Sequence, residues 1–188
     1  EEDPLSVSSM DVINRLNQVF VDTVRGTGSN NATRYLMVPG YSASVAGVMS
    51  DHFVLPTDTV ENRLIVSVHA YTPYVFALQD GGESVFDLEE NVLLAQEIPV
   101  FMNQLYEKFI ANGIPVVLGE FGARDKNGNL QDRVDFTSYY ICNATARGMV
   151  CCWWDNHVFK GNGERFGILD RKAAAWYYPD IVDAERWP

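Results

Sequence analysis

Basic residues are scarce in this sequence: 14 Lys and Arg stand against 25 Asp and Glu in 188 residues, a formal net charge of −11. A polyanionic partner would be repelled, so nucleic acid and anionic membrane surfaces are disfavoured. A neutral polar ligand such as a sugar meets no such barrier. Cysteine is sparse too, limited to Cys142, Cys151 and Cys152. The adjacent pair would point to opposite faces of a strand and is poorly placed to form a disulfide, so all three are expected as buried thiols. No Cys and His spacing matches a zinc site, and no metal is expected. No apolar run approaches the roughly 20 residues of a membrane helix. Neither a Gly-x-Gly-x-x-Gly turn, a phosphate loop nor a Gly-x-Ser-x-Gly elbow occurs, which disfavours nucleotide cofactors and serine-hydrolase chemistry. The start, Glu1-Glu2-Asp3-Pro4, has no initiator Met and no signal-peptide character, so a processed or shortened chain is expected.

The remaining composition, 47% hydrophobic and 21% charged, is that of a folded domain, and residues 1–188 are expected to form one. Val12, Ile13, Leu16, Val19, Phe20 and Val24 recur at helical spacing between Ser8 and Arg25, and Gly26 and Gly28 stop that helix. Short apolar strands are expected at Arg34–Val38 (ended by Pro39-Gly40), Leu64–Val68, Pro115–Leu118 and Met149–Trp153. Between them, helices are expected over Val92–Asn112 and Asp132–Arg147, with a short closing helix at best over Lys172–Ile181. The strands are near-continuous apolar runs, as expected when both sheet faces are covered. Alternation of strand and helix predicts an α/β fold with a parallel sheet. The C-terminal ends of its strands would then share one side, where parallel α/β folds build their sites.

Several residues able to carry chemistry fall at those ends. Glu120 lies in Gly119-Glu120-Phe121-Gly122, and a carboxylate at the tip of a buried strand must be solvated, paired or hydrogen-bonded. It is either catalytic or an ion-pair partner at the rim, and the flanking glycines would let a ligand approach the backbone. His69 and Tyr71, two residues apart, offer an imidazole and a phenol on one side of a strand end. In Trp153-Trp154, alternation turns one ring towards the site, where its face could carry a sugar. Asn156, His157 and Phe159 follow on the next loop. Asp155 is the other acid near this face, and His52 is expected to be structural.

The ordered set Ile65-Val66-Ser67-Val68-His69-Ala70-Tyr71-Thr72-Pro73, Ile114-Pro115-Val116-Val117-Leu118-Gly119-Glu120-Phe121-Gly122 and Trp153-Trp154-Asp155-Asn156 resembles glycoside hydrolase family 5, above all its endo-β-1,4-glucanases. Arg34–Tyr41 and Phe166–Arg171 extend the resemblance over essentially the whole chain. It implies a TIM (β/α)8 barrel of which this sequence supplies half, strands five to eight with their helices. It implies a retaining hydrolase with Glu120 as nucleophile, Tyr71 bonded to it, His69 beside them and Trp154 flooring the cleavage subsite, with Asn156 and His157 as further substrate contacts. The family's acid/base glutamate lies in an Asn-Glu-Pro motif that this sequence does not contain. A barrel typically needs about 250 residues, in keeping with a C-terminal half whose partner is either a complementary N-terminal half-barrel or a second copy. The resemblance also implies a secreted enzyme acting on β-1,4-glucan or a related polysaccharide. Two other readings stand beside it: a self-associating half-barrel with little catalysis, and a carbohydrate-binding module built on Trp154.

Overall fold

Four apolar stretches pair into one parallel sheet: β1 (Leu36–Ser44), β2 (Leu64–His69), β3 (Val116–Phe121) and β4 (Val150–Trp153), in the order β1-β2-β3-β4. The computed structural model describes residues 7–186, so the expectation placed on Glu1–Pro4 lies outside the described residues. Helices connect the strands, as the alternating pattern predicts. Among the described residues no helix is long and apolar enough to cross a membrane. The chain divides into two compact units, one of residues up to Ala70 with Asn103–Gly119 and Gly148–Val150, the other of Tyr71–Met102, Glu120–Arg147 and Cys151 onward.

In the first unit, α1 (Val7–Gly26) packs on β1 through Val21 and Val24, which meet Leu36, Val38 and Leu64. Of the apolar stripe read from the sequence, Val24 docks, and most of the rest does not. Val12, Leu16, Val19 and Phe20 are exposed. Polar side chains add to the hold: Asn17 Nδ2 donates to Pro39 O at 2.8 Å, Asn14 bonds His52 O and Val54 N, and Gln18 bonds Thr57. A bidentate Arg25–Asp58 pair ties the helix end to the loop before β2. His52 is exposed and contributes its carbonyl to Asn14.

β1 runs through Pro39-Gly40 rather than ending there, and its register against β2 shifts between Pro39 and Ser44. An edge strand tolerates a proline because its outward N–H has no ladder partner to lose. The short helix α2 (Val45–Met49) follows, with Ser44 Oγ accepting from Gly47 N at its start.

The strands correct a second expectation, that both sheet faces are covered. β2 alternates buried Leu64, Val66 and Val68 with half-buried Ile65, Ser67 and His69. On β4, Val150 is 62% exposed and Cys152 is exposed as well. The buried-thiol expectation fails with it: Cys142 and Cys152 are exposed and Cys151 is half-buried, its thiol pushed up to about 12 by desolvation, with Cys152 and Glu185 adding to the effect.

The second unit has an aromatic core. α3 (Tyr74–Ala77) buries Phe76 against Phe86 and Phe136, with all three ring pairs 5.3–5.5 Å apart. α5 (Leu130–Thr145) supplies Phe136 and Tyr140, and Tyr140 stacks on Phe121 of β3 at 4.6 Å. Between them in sequence, α4 (Val92–Lys108) and a following 3-10 turn, Ile110–Asn112, end at Gly113, whose φ of 78° is left-handed. The tail departs from the expected Lys172–Ile181 helix. A hairpin of β5 (Leu169–Asp170) and β6 (Ala175–Trp176) comes first, and α6 (Pro179–Arg186) starts at the proline.

Candidate active site

β3 ends in Gly119-Glu120-Phe121, so Glu120 sits within the strand's last residues rather than beyond them. Tyr71, after the end of β2, donates its phenol O–H to Glu120 Oε2 at 3.0 Å. Both side chains are half-buried. Desolvation, then the Glu120 carboxylate, push the Tyr71 phenol well above its ordinary range. It therefore stays protonated and able to donate well into the alkaline range. The Tyr71 ring packs at 5.5 Å against buried Phe166, which fixes the direction of the O–H.

Trp154 follows β4 and donates its backbone N–H to Phe121 O at 2.9 Å, which sets it alongside the residue after Glu120. Its side chain is exposed. Trp153 turns the other way. Its indole N–H donates to Phe166 O at 2.9 Å, and its ring meets Phe121 edge-on at 5.4 Å. The two rings therefore face opposite ways, as alternation predicts, with Trp154 the exposed one.

The glycines beside Glu120 make room for the protein's own side chains. A Cβ at Gly119 would lie 3.0 Å from Ser67 Oγ and 3.6 Å from the His69 ring. At Gly122, whose φ is 154°, a Cβ would meet Phe166 and Trp153 at 3.3 Å. His69, the last residue of β2, thus lies beside Gly119 in the first unit, whereas the Tyr71–Glu120 pair and Trp154 belong to the second.

The loop after Trp154 is held by its own polar groups. Asn156 uses both ends of its amide, donating to Glu164 O at 2.6 Å and accepting from Val158 N. His157 has a φ of 61°, with Nδ1 3.1 Å from Leu169 O and its ring against Phe159. Asp155 Oδ1 accepts from His157 N, and Oδ2 pairs with Arg171 at 3.3 Å. Asp155 thus fixes the loop. Among the described residues, no three His, Cys, Asp or Glu side chains gather as metal ligands would.

Residues 3–160 match the family model for Cellulase (glycosyl hydrolase family 5). The chain belongs to glycosyl hydrolase family 5. It is 42% identical over 173 residues to Endoglucanase 1 of Ruminococcus albus, an alignment covering 92% of this chain and 41% of that protein. A variant of the glycoside hydrolase 5 lichenase from Caldicellulosiruptor sp. F32, solved in complex with cellotetraose, superposes with a TM-score of 0.93 at 54% identity over 97% of this chain and 50% of that one. A family 5 xyloglucanase from Paenibacillus pabuli superposes at 0.87 with 28% identity, over 96% of this chain and 56% of that one. The chain therefore spans about half the length of the solved family members it matches, and its four strands with their helices are half of a TIM barrel, strands five to eight.

The sequence reading missed Glu164. It ends the stretch Gly161-Asn162-Gly163-Glu164, two residues before the Phe166 that packs on Tyr71. Its carboxylate also contributes to the raised Tyr71 phenol. Two glycines around an amide, just after the Trp-Asp-Asn turn, were the available signal.

Proposed function

We propose that this chain is the nucleophile-bearing half of a retaining endo-β-1,4-glucanase, and that cleavage of a β-1,4-glucan requires a second half supplying the acid/base carboxylate. The Tyr71–Glu120 hydrogen bond carries the reading. A nucleophilic carboxylate must be ionised, held by one oxygen and aimed, and a phenol that does not itself ionise in the working range does this. In the proposed step a Glu120 oxygen attacks the anomeric carbon, the glycosidic C–O bond breaks, and the leaving oxygen takes its proton from the acid. Water then releases the sugar, with the same residue acting as base. The two carboxyls of a retaining enzyme stand roughly 5–5.5 Å apart.

Trp154 offers an exposed ring to the C–H face of the sugar bound there. His69 contributes at the end of β2, and Asn156 and His157 act mainly by fixing the loop that carries Trp154. A polysaccharide substrate places the action outside the cell. The partner is a complementary N-terminal half-barrel. A second reading, a self-associating half-barrel with little catalysis, draws support from exposed Leu16, Phe20, Met37 and Val150.

The test bypasses the missing acid. An aryl cellobioside with a very good leaving group needs little protonation, so the folded chain should accumulate a glycosyl-enzyme, read by intact mass and mapped to the peptide bearing Glu120. Glu120→Gln should abolish the adduct without loss of fold. A folded chain that acquires no adduct, or one that labels equally as Glu120→Gln, would sink the nucleophile assignment.

A further inference from the structure

Arg133, on α5, is 1% exposed. Its Nε donates to Ala123 O at 2.9 Å. Its other contacts are ring faces: the guanidinium carbon lies 4.8 Å from the Tyr178 ring centroid and 5.8 Å from that of Trp153. Nη2 is buried and has no hydrogen-bond partner among the described residues. Desolvation works against the charge, partly offset by Tyr178 and Asp125. Packing alone does not call for such a residue. A buried charge costs more than most contacts return, and an apolar side chain of like volume usually serves a core as well or better. What Arg supplies, and Met or Leu cannot, is an N–H held in a rigid plane. Here two rings hold the plane, and the plane directs Nε–H at Ala123 O.

That carbonyl and one of those rings belong to the surroundings of Glu120. Ala123 follows Glu120-Phe121-Gly122 on the chain leaving β3. Trp153 meets Phe121 edge-on and donates its indole N–H to Phe166 O. The Phe166 ring packs on Tyr71, the donor to Glu120 Oε2. Further along α5, Tyr140 stacks on Phe121. The segment after Glu120 is thus gripped from one helix at Phe121 and at Ala123. Arg133 also reaches the Tyr71–Glu120 pair by a second route, through Trp153 and Phe166. All of these residues lie in the second unit.

We propose that Arg133 is a positioning residue for Glu120: its Nε–H and its ring contacts fix the chain after β3 and the Trp153 ring, so that the Glu120 carboxylate keeps its line to Tyr71 and to the anomeric carbon. The proposal rests on the nucleophile reading and deepens it by naming what aims the carboxylate. A reacting group misplaced by about 1 Å can cost on the order of 100-fold in rate.

Two substitutions in the full chain test it. Arg133→Met removes the hydrogen bond and the guanidinium together. Arg133→Gln puts an amide nitrogen where Nε stands, so it keeps a donor for Ala123 O and loses the ring contacts. With the aryl cellobioside, the maximal rate of glycosyl-enzyme formation should fall about tenfold or more in Arg133→Met, with the half-saturating concentration within about threefold, and Arg133→Gln should recover part of the rate. A second readout does not need turnover. In a chain carrying 13C at its glutamate carboxyls, the resonance that Glu120→Gln deletes should move in Arg133→Met in the same direction as in Tyr71→Phe. A merely structural Arg133 would lower the melting temperature and leave the maximal rate and the resonance where they were. If Arg133→Met fails to fold, Arg133→Lys replaces it: it keeps the charge, puts a methylene in place of Nε, and should be slower than Arg133→Gln. An unmoved resonance in the folded variant overturns the proposal, as does a maximal rate within about twofold of the unsubstituted chain or an Arg133→Gln that recovers nothing. The two readings fail separately. A moved resonance with no adduct on any chain removes the nucleophile and leaves the hold of Arg133 on Glu120, whereas an adduct with an unmoved resonance removes Arg133 alone.

Discussion

Tyr71 does one thing that phenylalanine cannot: it donates a hydrogen bond to Glu120 Oε2. Tyr71→Phe keeps the ring contact with Phe166, so the fold should hold. Formation of the glycosyl-enzyme should slow by about 10- to 100-fold, the kinetic equivalent of one hydrogen bond to a charged group. Time-resolved intact mass reads the rate, and an unchanged rate would show that Glu120 is aimed by other contacts. Glu185 on α6 tests the opposite kind of carboxylate. Desolvation raises it to about 7, partly offset by Arg186, and its Oε1 has no hydrogen-bond partner among the described residues. The folded chain therefore holds this proton more tightly than the unfolded chain. Stability should be highest below the unfolded value and fall as pH rises towards 7. Glu185→Gln should flatten that dependence and raise the melting temperature at pH 8. A steeper decline in the variant would contradict the assignment.

Lys126 shows how one side chain secures an element. Its ammonium donates to Val75 O, Phe76 O and Glu83 O at 2.6–3.0 Å, capping the carbonyl end of α3 and the loop beyond it. Desolvation, with help from Arg124, lowers it to about 8. Lys126→Met strands three carbonyls and should cost roughly 2–4 kcal/mol, measurable by denaturant unfolding. A change under 0.5 kcal/mol would mean that water replaces the ammonium. At this scale the sequence was legible where patterns are local. The strands and the opposite facing of Trp153 and Trp154 follow from period. It misled at Lys172-Ala173-Ala174, a run of good helix formers. There Asp170 Oδ1 accepts from Lys172 N and Ala173 N, and Ala174 takes a φ of 51°, so the run closes a hairpin instead. Tyr178, preceding Pro179, is kept out of the helix by the proline ring. In α1 the helical period is present, but Val21 and Val24 with three polar side chains form the docked face, while Val12, Leu16, Val19 and Phe20 stay exposed. Among site residues, Glu120, Tyr71 and Trp154 were visible as motif positions. Glu164 was not, because its loop is set only once Arg124 joins Leu78 to Gly163, far apart in sequence.

At the scale of the whole chain, the sheet has two edge strands, β1 and β4. Unpaired edges invite another strand unless proline or inward charge blocks them. Pro39 interrupts β1, but Tyr35, just before it, and Met37 on it stay exposed, as does Val150 on β4. In the same unit α1 exposes Val12, Leu16, Val19 and Phe20. Exposed apolar residues that gather into one patch are what a partner would cover. Under the proposed function, a complementary half-barrel would be that partner. Without one, a second copy is the chain's own remedy, through a twofold contact that uses the same surface on both copies. The chain alone should scatter light as about twice 21.1 kDa. Val150→Asp should reduce the mass to that of one chain, and because Val150 is already exposed the substitution should change monomer stability by no more than about 0.5 kcal/mol. A complementary half-barrel added in excess should displace the second copy, giving one of each. A monomer at high concentration with a cooperative melt would rule out self-association and leave the exposed helix face tolerated by the fold.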